Sequence, residues 1–530
     1  MKRMIGLVMG FCMLFPQILV AQAVDVGPLI GVSWYGLYMN GEKSGYARNE
    51  VSRDENGRVS VSQDARFQMN MMGAKQDMRI FSRRVYASGG ALHAIESVVE
   101  EARGETRFDA LVEDGELVLT IEMAGEEQVQ RHPKPAETLA DALKTERWVR
   151  GKPEVGDSIT FSLFDPTFQK EITGKSTVLG VNERILEGVP TAVYEVKTNL
   201  DVMELESVSH VAEDGSVLED VTAGMLTMRL EPEKVAKDVD YNNDVIVSNA
   251  AYINRPIPEP RTRDALRLAL RGPLNENHLF NDERQYMTDM DDHTLFVAKR
   301  PSLENFTPAR LPVTEEHVAK WLEPSTFVQS DAPEIVAQAA EIVGEEKDTL
   351  EITRKLSAWV NDNVHSTYSA RLTNALEVLN SLEGDCTEHS ILFVGLARAA
   401  GVPAREVAGV VYVDGPRPGF YFHQWAKVWV GKWIDVDPTL GQWLADVTHV
   451  KLAEGDLFEQ SKLIPLIGHL QIEYLPEKAE ENADGEQEEQ EEEEQEEEEQ
   501  EEEQEETSGK ASEAPAAEET AALPAEAPAS

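Results

Sequence analysis

Cysteine is almost missing from this chain of 530 residues, which holds two, Cys12 and Cys386. Cys12 falls in a segment that reads as removable. Lys2 and Arg3 form a positive start, Met4 to Val20 is almost wholly apolar, and Ala21-Gln22-Ala23 fits a small-x-small cleavage site, the pattern of a secretory signal peptide over residues 1–23. The bulky Phe11 before Cys12 argues against a lipoprotein cleavage box. Removal of the segment leaves one thiol and excludes an internal disulfide. Cys386 then reads as an intermolecular partner, a reactive group or an inert buried thiol. A second long apolar run is also missing, so no transmembrane helix is expected after cleavage, and the expected location is periplasmic or secreted. Clustered positive charge is missing too. Lys and Arg number 49 against 97 Asp and Glu, a net charge of -48, which excludes nucleic acid as an expected partner. The N-terminal half shows no metal-spaced cluster, no phosphate loop and no repeat, and no metal or cofactor is expected of the chain.

What is present is an ordinary globular composition, 41% apolar and 28% charged, long enough for two or three domains. Residues 24–235 read as a β-rich domain of unreadable role. Asn40-Gly41, Asn56-Gly57, Asp114-Gly115 and Asp214-Gly215 are hairpin signals between alternating runs, and the spacing fits a sandwich, a half-barrel or a curved sheet. A helix is expected over Thr138 to Val149. Trp34, Tyr35, Tyr38, Phe67 and Phe81 are expected in its core rather than stacked on a ligand. Residues 236–330 read as a mixed linker region, with an extended stretch at Pro256, Pro258 and Pro260, a strand at Thr294 to Ala298 and a short helix over Thr314 to Leu322. A further domain is expected over 331–470. Residues 471–530 form a Glu/Gln-rich tail. From Glu477 on, 24 acidic residues face two lysines, so the tail is expected to be disordered and chiefly solubilising. A weak cation or a basic partner, or its glutamines as acyl donors to Cys386, are the sharper readings of it.

Chemistry concentrates between Gly384 and Thr439. Two scaffold helices precede it, one from Asp331 with Pro333 in its first turn and one carrying Leu350 to Val364; a third, short one covers Leu376 to Leu382. Asp385 is a good N-cap and Glu388 completes a capping box, which places Cys386 at the first helical position. There the positive end of the helix favours thiolate over thiol, and free backbone N–H groups are at hand for an oxyanion. The helix ends at Gly401 with Pro403 behind it. A buried strand follows from Val407 to Val413. Then Phe420 to Val430 sets His423, Trp425, Lys427 and Trp429 on one face, and Trp433 returns to Asp437. A two-residue loop would pair Ala426 with Asp437 and put His423 and Asp437 on opposite faces. A three-residue loop or a bulge pairs Trp425 with Asp437 and brings the two onto one face, about 7–8 Å apart on the diagonal. Cys386, His423 and Asp437 are therefore the candidate catalytic residues of a thiol acyl-transfer triad.

The pattern resembles the transglutaminase-like superfamily. Gly384-Asp385-Cys386 matches its nucleophile motif, Gly401-Val402-Pro403-Ala404-Arg405 its helix-to-strand junction, His423-Gln424-Trp425 its histidine strand, and Asp437-Pro438-Thr439 its aspartate end. The likeness covers about Glu334 to Leu452 and is strongest to exported bacterial members, which also run on as Gly384 to His389, Asp437 to Gln442 and Asp446 to His449 do here. It implies a papain-like α+β fold with a Cys-His-Asp triad acting on amide carbonyls of peptide or protein substrates. The superfamily holds cross-linking enzymes, peptidases, amidases and members without catalysis. The alternatives are accordingly a cysteine peptidase or amidase acting on envelope peptides, or a non-catalytic binding or scaffold protein. Three neighbours receive plainer readings. His389 is expected to be structural or substrate-side, His449 a packing or hydrogen-bonding residue, and Arg405 an ion-pair partner. The Cys386 backbone N–H is one expected oxyanion donor, with Tyr368 or Asn374 as weak candidates for a second.

Overall fold

Apolar and polar residues alternate from Gly31 to Leu230, and that period of two builds one antiparallel sheet of 14 strands. The computed structural model describes residues 26–476 except 72–73, 103, 202–204, 242 and 368–371. The expected signal segment, the acidic tail from residue 477 and Tyr368 lie outside the described residues. Asn40 and Gly41 take φ of 49° and 85°, and Asp114 and Gly115 take 49° and 86°, so both dipeptides form the paired left-handed turns that close two-residue hairpins.

Strand Gly31–Met39 pairs with Leu226–Leu230, so the two ends of this domain meet mid-sheet. The sheet's edges are Glu126–Pro133 and Ser158–Asp165. The sheet cannot be flat. Strand Ala74–Tyr86 and edge strand Ser158–Asp165 stand nine spacings apart in the ladder, which would be roughly 43 Å on a plane. Yet Arg84 Nη2 donates to the Phe164 carbonyl at 2.8 Å. The sheet curls onto itself, which is the curved form among those expected, and its inner face supplies one large apolar core.

The connection between the edges holds two short helices, Leu139–Ala142 and Lys144–Arg150, where one helix over Thr138 to Val149 was expected. Thr138 caps the first in a capping box with Asp141. Leu143 then leaves helical geometry, at φ -131° and ψ 39°, and is 1% exposed, so the break between the helices coincides with a buried apolar side chain.

Residues 236–330 are more structured than a linker. Strands Ala265–Arg271, Gln285–Asp289 and Thr294–Lys299 make a sheet completed by Gln471–Tyr474, whose partner therefore lies far upstream in the chain. A 3₁₀ helix covers Glu316–Leu322. The described residues up to Tyr474 form one compact unit.

Helices Pro333–Val343, Thr349–Asn363 and Ala375–Ser381 surround a fourth, Cys386–Ala399. The first has Ala332, not Asp331, at its N-cap, with Pro333 at its start. The fourth is buried on nearly every side from Thr387 to Ala397, as a helix set between other helices and a sheet must be. That sheet pairs Gly419–Trp429 with Ala404–Val413, which in turn pairs with His449–Glu454; Trp433–Val436 pairs with the other side of Gly419–Trp429.

Candidate active site

The Cys386 helix starts where its cap dictates. The Asp385 side chain accepts from the Thr387 N–H at 2.9 Å, and Glu388 Oε2 accepts from the Asp385 N–H at 2.8 Å. Cys386 is the first helical residue and stays partly exposed. Ser390, one turn on, stands 2.6 Å from the Cys386 carbonyl and 3.0 Å from the Gln424 carbonyl. Its single O–H donates to one of them at a time, so it tethers the helix start to the strand beside His423.

The hairpin after His423 has three loop residues. Trp429 pairs with Trp433, Lys427 with Asp435 and Ala426 with Val436. Continuing by one residue sets Trp425 opposite Asp437, the register that the sequence required for His423 and Asp437 to share a face. His423 Nε2 lies 2.7 Å from Asp437 Oδ2. Nδ1 is left for Cys386, whose thiol is the other hydrogen-bonding neighbour of this imidazole. Burial alone would push the His423 pKa down, but the charges and hydrogen bonds of Asp437 and Cys386 outweigh it and hold the value up at about 10. His423 is 8% exposed and Asp437 fully buried.

Asp437 is saturated with donors. Its Oδ1 accepts from the Thr439 and Leu440 N–H groups at 2.9 and 3.0 Å. Its Oδ2 is shared with a second imidazole, His449 Nε2, at 2.9 Å. Burial would raise this carboxyl, but the two histidines hold it well below the usual carboxylate range. His449 Nδ1 in turn lies 3.3 Å from Asp446 Oδ1. The same Asp446 accepts from Thr448, Gln442 and Arg261. A line of polar groups thus runs from Arg261 through Asp446 and His449 to Asp437 and His423. The strand between the two histidines passes Gly409, where a Cβ would come 2.0 Å from the Val450 carbonyl oxygen, so no other residue fits that close approach.

Sequence reasoning expected either a packing or a hydrogen-bonding role for His449 and did not foresee its partner Asp437. The signal was its place in the segment just after the aspartate turn. His389 is structural: its nitrogens face the Asp385 and Val364 carbonyls at 2.6 and 3.1 Å, and burial pushes its pKa down. Arg405 is an ion-pair residue, 2.6 Å from Glu454, and stacks on Trp321 and Trp433. Asn374 is committed to capping its own helix at Glu377 N–H. His423, Asp437 and His449 bring one ligand atom each within 4.8 Å of one another, which could hold a transition metal. An ion there would compete for the atoms that now bond the two histidines to Asp437.

Residues 336–438 match the model of the transglutaminase-like superfamily. They are a transglutaminase-like domain. An uncharacterized protein of Haemophilus influenzae is 30% identical over 115 residues, which is 21% of this chain and 31% of that relative, so the match spans about a third of the relative's length. Among solved structures, a candidate cysteine protease from Cytophaga hutchinsonii is similar at 17% identity over 40% of this chain and 81% of that one, with a TM-score of 0.29. A β-barrel-like protein of unknown function from Brucella abortus is similar at 11% identity over 38% and 94%, with a TM-score of 0.30. Scores this low carry no weight in the functional reading. No helix among the described residues is long and apolar enough to cross a membrane.

Proposed function

We propose that this transglutaminase-like domain is a thiol acyl-transfer enzyme acting on amide carbonyls of peptide or protein substrates, with Cys386 as nucleophile, His423 as base and acid, and Asp437 as its orienting carboxylate. The single observation that carries the reading is the imidazole of His423, held between Asp437 at 2.7 Å and the Cys386 thiol. His423 takes the thiol proton on Nδ1 and becomes an imidazolium, whose charge Asp437 offsets. The sulfur attacks the carbonyl carbon, a C–S bond forms, and the carbonyl electron pair moves onto oxygen. The oxyanion faces the Cys386 backbone N–H at the helix start, since the next N–H, of Thr387, is already given to the Asp385 side chain. Collapse breaks the C–N bond, and His423 returns its proton to the departing amine. A second amine, or water, then attacks the thioester with His423 as base and restores the thiol. Proton transfer of this kind is worth about 10²–10⁴-fold.

Partial exposure of Cys386 over a buried Asp437 supports entry of substrate from the cysteine side. The N-terminal pattern of residues 1–23 supports a periplasmic or secreted setting and hence extracytoplasmic peptide substrates. The test supplies a glutamine-rich protein and a labelled primary amine to the chain from Val24 on, with Cys386→Ala as control. Cys386-dependent labelling identifies transamidation. Cys386-dependent release of ammonia or peptide without label identifies hydrolysis. Absence of both, with alkylation of Cys386 following an ordinary thiol, refutes the enzyme reading.

A further inference from the structure

The curled sheet holds a cavity of about 90 Å³, walled by Tyr35, Asn49, Gln63 and Arg84 from the strands, by Glu146 from the second short helix and by Leu143 from the break between the two helices. One water needs roughly 10–15 Å³ on this scale, so there is room for several waters or one small organic molecule.

The polar groups of this cavity do not cancel. Arg84 is already engaged, its Nη1 bonding both oxygens of Glu137 at 2.9 and 2.7 Å and its Nη2 the Phe164 carbonyl. Glu50 pairs with Arg48 at 2.8 Å. Gln63 donates from Nε2 to Asn49 Oδ1 at 2.6 Å, yet its Oε1 has no hydrogen-bond partner although the residue is only 6% exposed. Glu146 Oε2 has no partner either. Burial pushes the Glu146 pKa up to about 7, opposed by a hydrogen bond from its own backbone and by no cation among the described residues. Burial, and then the charge of Glu146, likewise push the Tyr35 phenol up. Among the described residues two acceptors therefore lack donors, and Glu146, once ionised, lacks a counter-charge. Water can supply donors but no charge.

We propose that this cavity is a binding site for a small primary ammonium ion, whose N–H groups donate to Gln63 Oε1 and Glu146 Oε2 while its alkyl part packs on Leu143 and Leu163. The ammonium supplies both missing elements at once, and a second charge would find no partner because Arg84 and Glu137 neutralise each other. The site is separate from Cys386 and does not depend on the acyl-transfer reading.

The test titrates ethylamine hydrochloride into the full chain at constant ionic strength, with ethanol as the uncharged counterpart, and reads binding by calorimetry and by the thermal midpoint. The cavity requires saturable binding of ethylammonium, at least tenfold weaker binding of ethanol, and at least tenfold weaker ethylammonium binding in Glu146→Gln, which keeps an acceptor and removes the charge. If Glu146→Gln does not fold, Gln63→Leu takes its place with the same expectation. Binding must also survive alkylation of Cys386, since an amine is itself a substrate in the proposed transfer. Absence of saturable binding, equal binding of ethanol, or loss of binding on alkylation would each overturn the proposal.

Discussion

Arg284 Nε lies 2.6 Å from Asp435 Oδ2, and the two side chains are only 3% and 2% exposed. The same guanidinium donates to the His449 carbonyl at 2.7 Å and to Gln285 Oε1 at 3.0 Å. Asp435 stands two residues before Asp437 on the same face of its strand. Arg284 therefore ties together the two strands that bring Asp437 and His449 to one point. Arg284→Met leaves Asp435 buried with less counter-charge, and the expected loss in denaturant unfolding is about 3–5 kcal/mol. Arg284→Lys keeps the charge but not the fork, and recovers only part of that loss. A loss for Arg284→Met within about 0.5 kcal/mol, the range of ordinary surface changes, would sink this account.

His449 is expected to act through Asp437 and not on substrate, because it is fully buried and its Nε2 bonds Asp437 at 2.9 Å. A hydrogen bond to a charged group is worth about 1.5–3 kcal/mol. His449→Phe should then lower kcat roughly 10- to 100-fold with KM little changed, and alter the pH profile. His449→Gln restores an N–H and should recover part of the rate. Equal KM and kcat effects, or identical profiles for both variants, would mark His449 as merely a packing residue.

The pH dependence of the site has a fixed sign. His423 is held above its ordinary value, at about 10, so its contribution to stability is full below the ordinary imidazole pKa and is lost as pH rises through about 10. Asp437 is held below its ordinary value, so its contribution is present above the usual carboxylate range and is lost as pH falls beneath it. The pair stabilises most strongly between those limits. An NMR titration of the His423 ring should show a midpoint well above 6.5. In Cys386→Ala the midpoint should fall, since one of the charges that raise it is gone, while Asp437 keeps it above the ordinary value. A wild-type midpoint at or below 6.5 would contradict the ring's placement.

What was legible in the sequence was what has a local signal. Asp385 and Glu388 announce the helix start three residues apart, and the alternation of His423, Trp425 and Lys427 announces a face. Asn40-Gly41 and Asp114-Gly115 announce hairpins because both turn residues tolerate positive φ. Pairings between distant segments carry no such mark. The join of Gly31–Met39 to Leu226–Leu230, the contact of Arg84 with Phe164, and the ion pair of Arg284 with Asp435 are set by how the whole chain collapses. Arg284 in particular sits in a stretch that reads as a linker, because its sheet is finished only by Gln471–Tyr474. The role of His449 lay between these cases: its segment was visible, but its bond to Asp437 spans a strand that pairs elsewhere.

The three-residue loop Val430-Gly431-Lys432 makes a sharper prediction than any side chain. Trp429 and Trp433 flank it as a pair. Removing Lys432 shortens the connection, and if the turn keeps three residues it takes in Trp433, Trp429 pairs with Ile434 and the return strand slips by one. Asp437 then lies opposite Ala426, on the far face from His423, while Asp435 leaves Lys427 and Arg284. The variant should lose Cys386-dependent turnover, and the His423 midpoint should drop toward its ordinary value as Asp437 withdraws. It should also lose several kcal/mol of stability, because Asp435 becomes an unpaired buried charge. Inserting a glycine beside Gly431 in the deletion variant restores loop length and should restore both activity and midpoint. Full activity with Trp429 still paired to Trp433 would show that the turn closes on two residues, whereas full activity in a slipped strand would show that register does not hold His423 and Asp437 together.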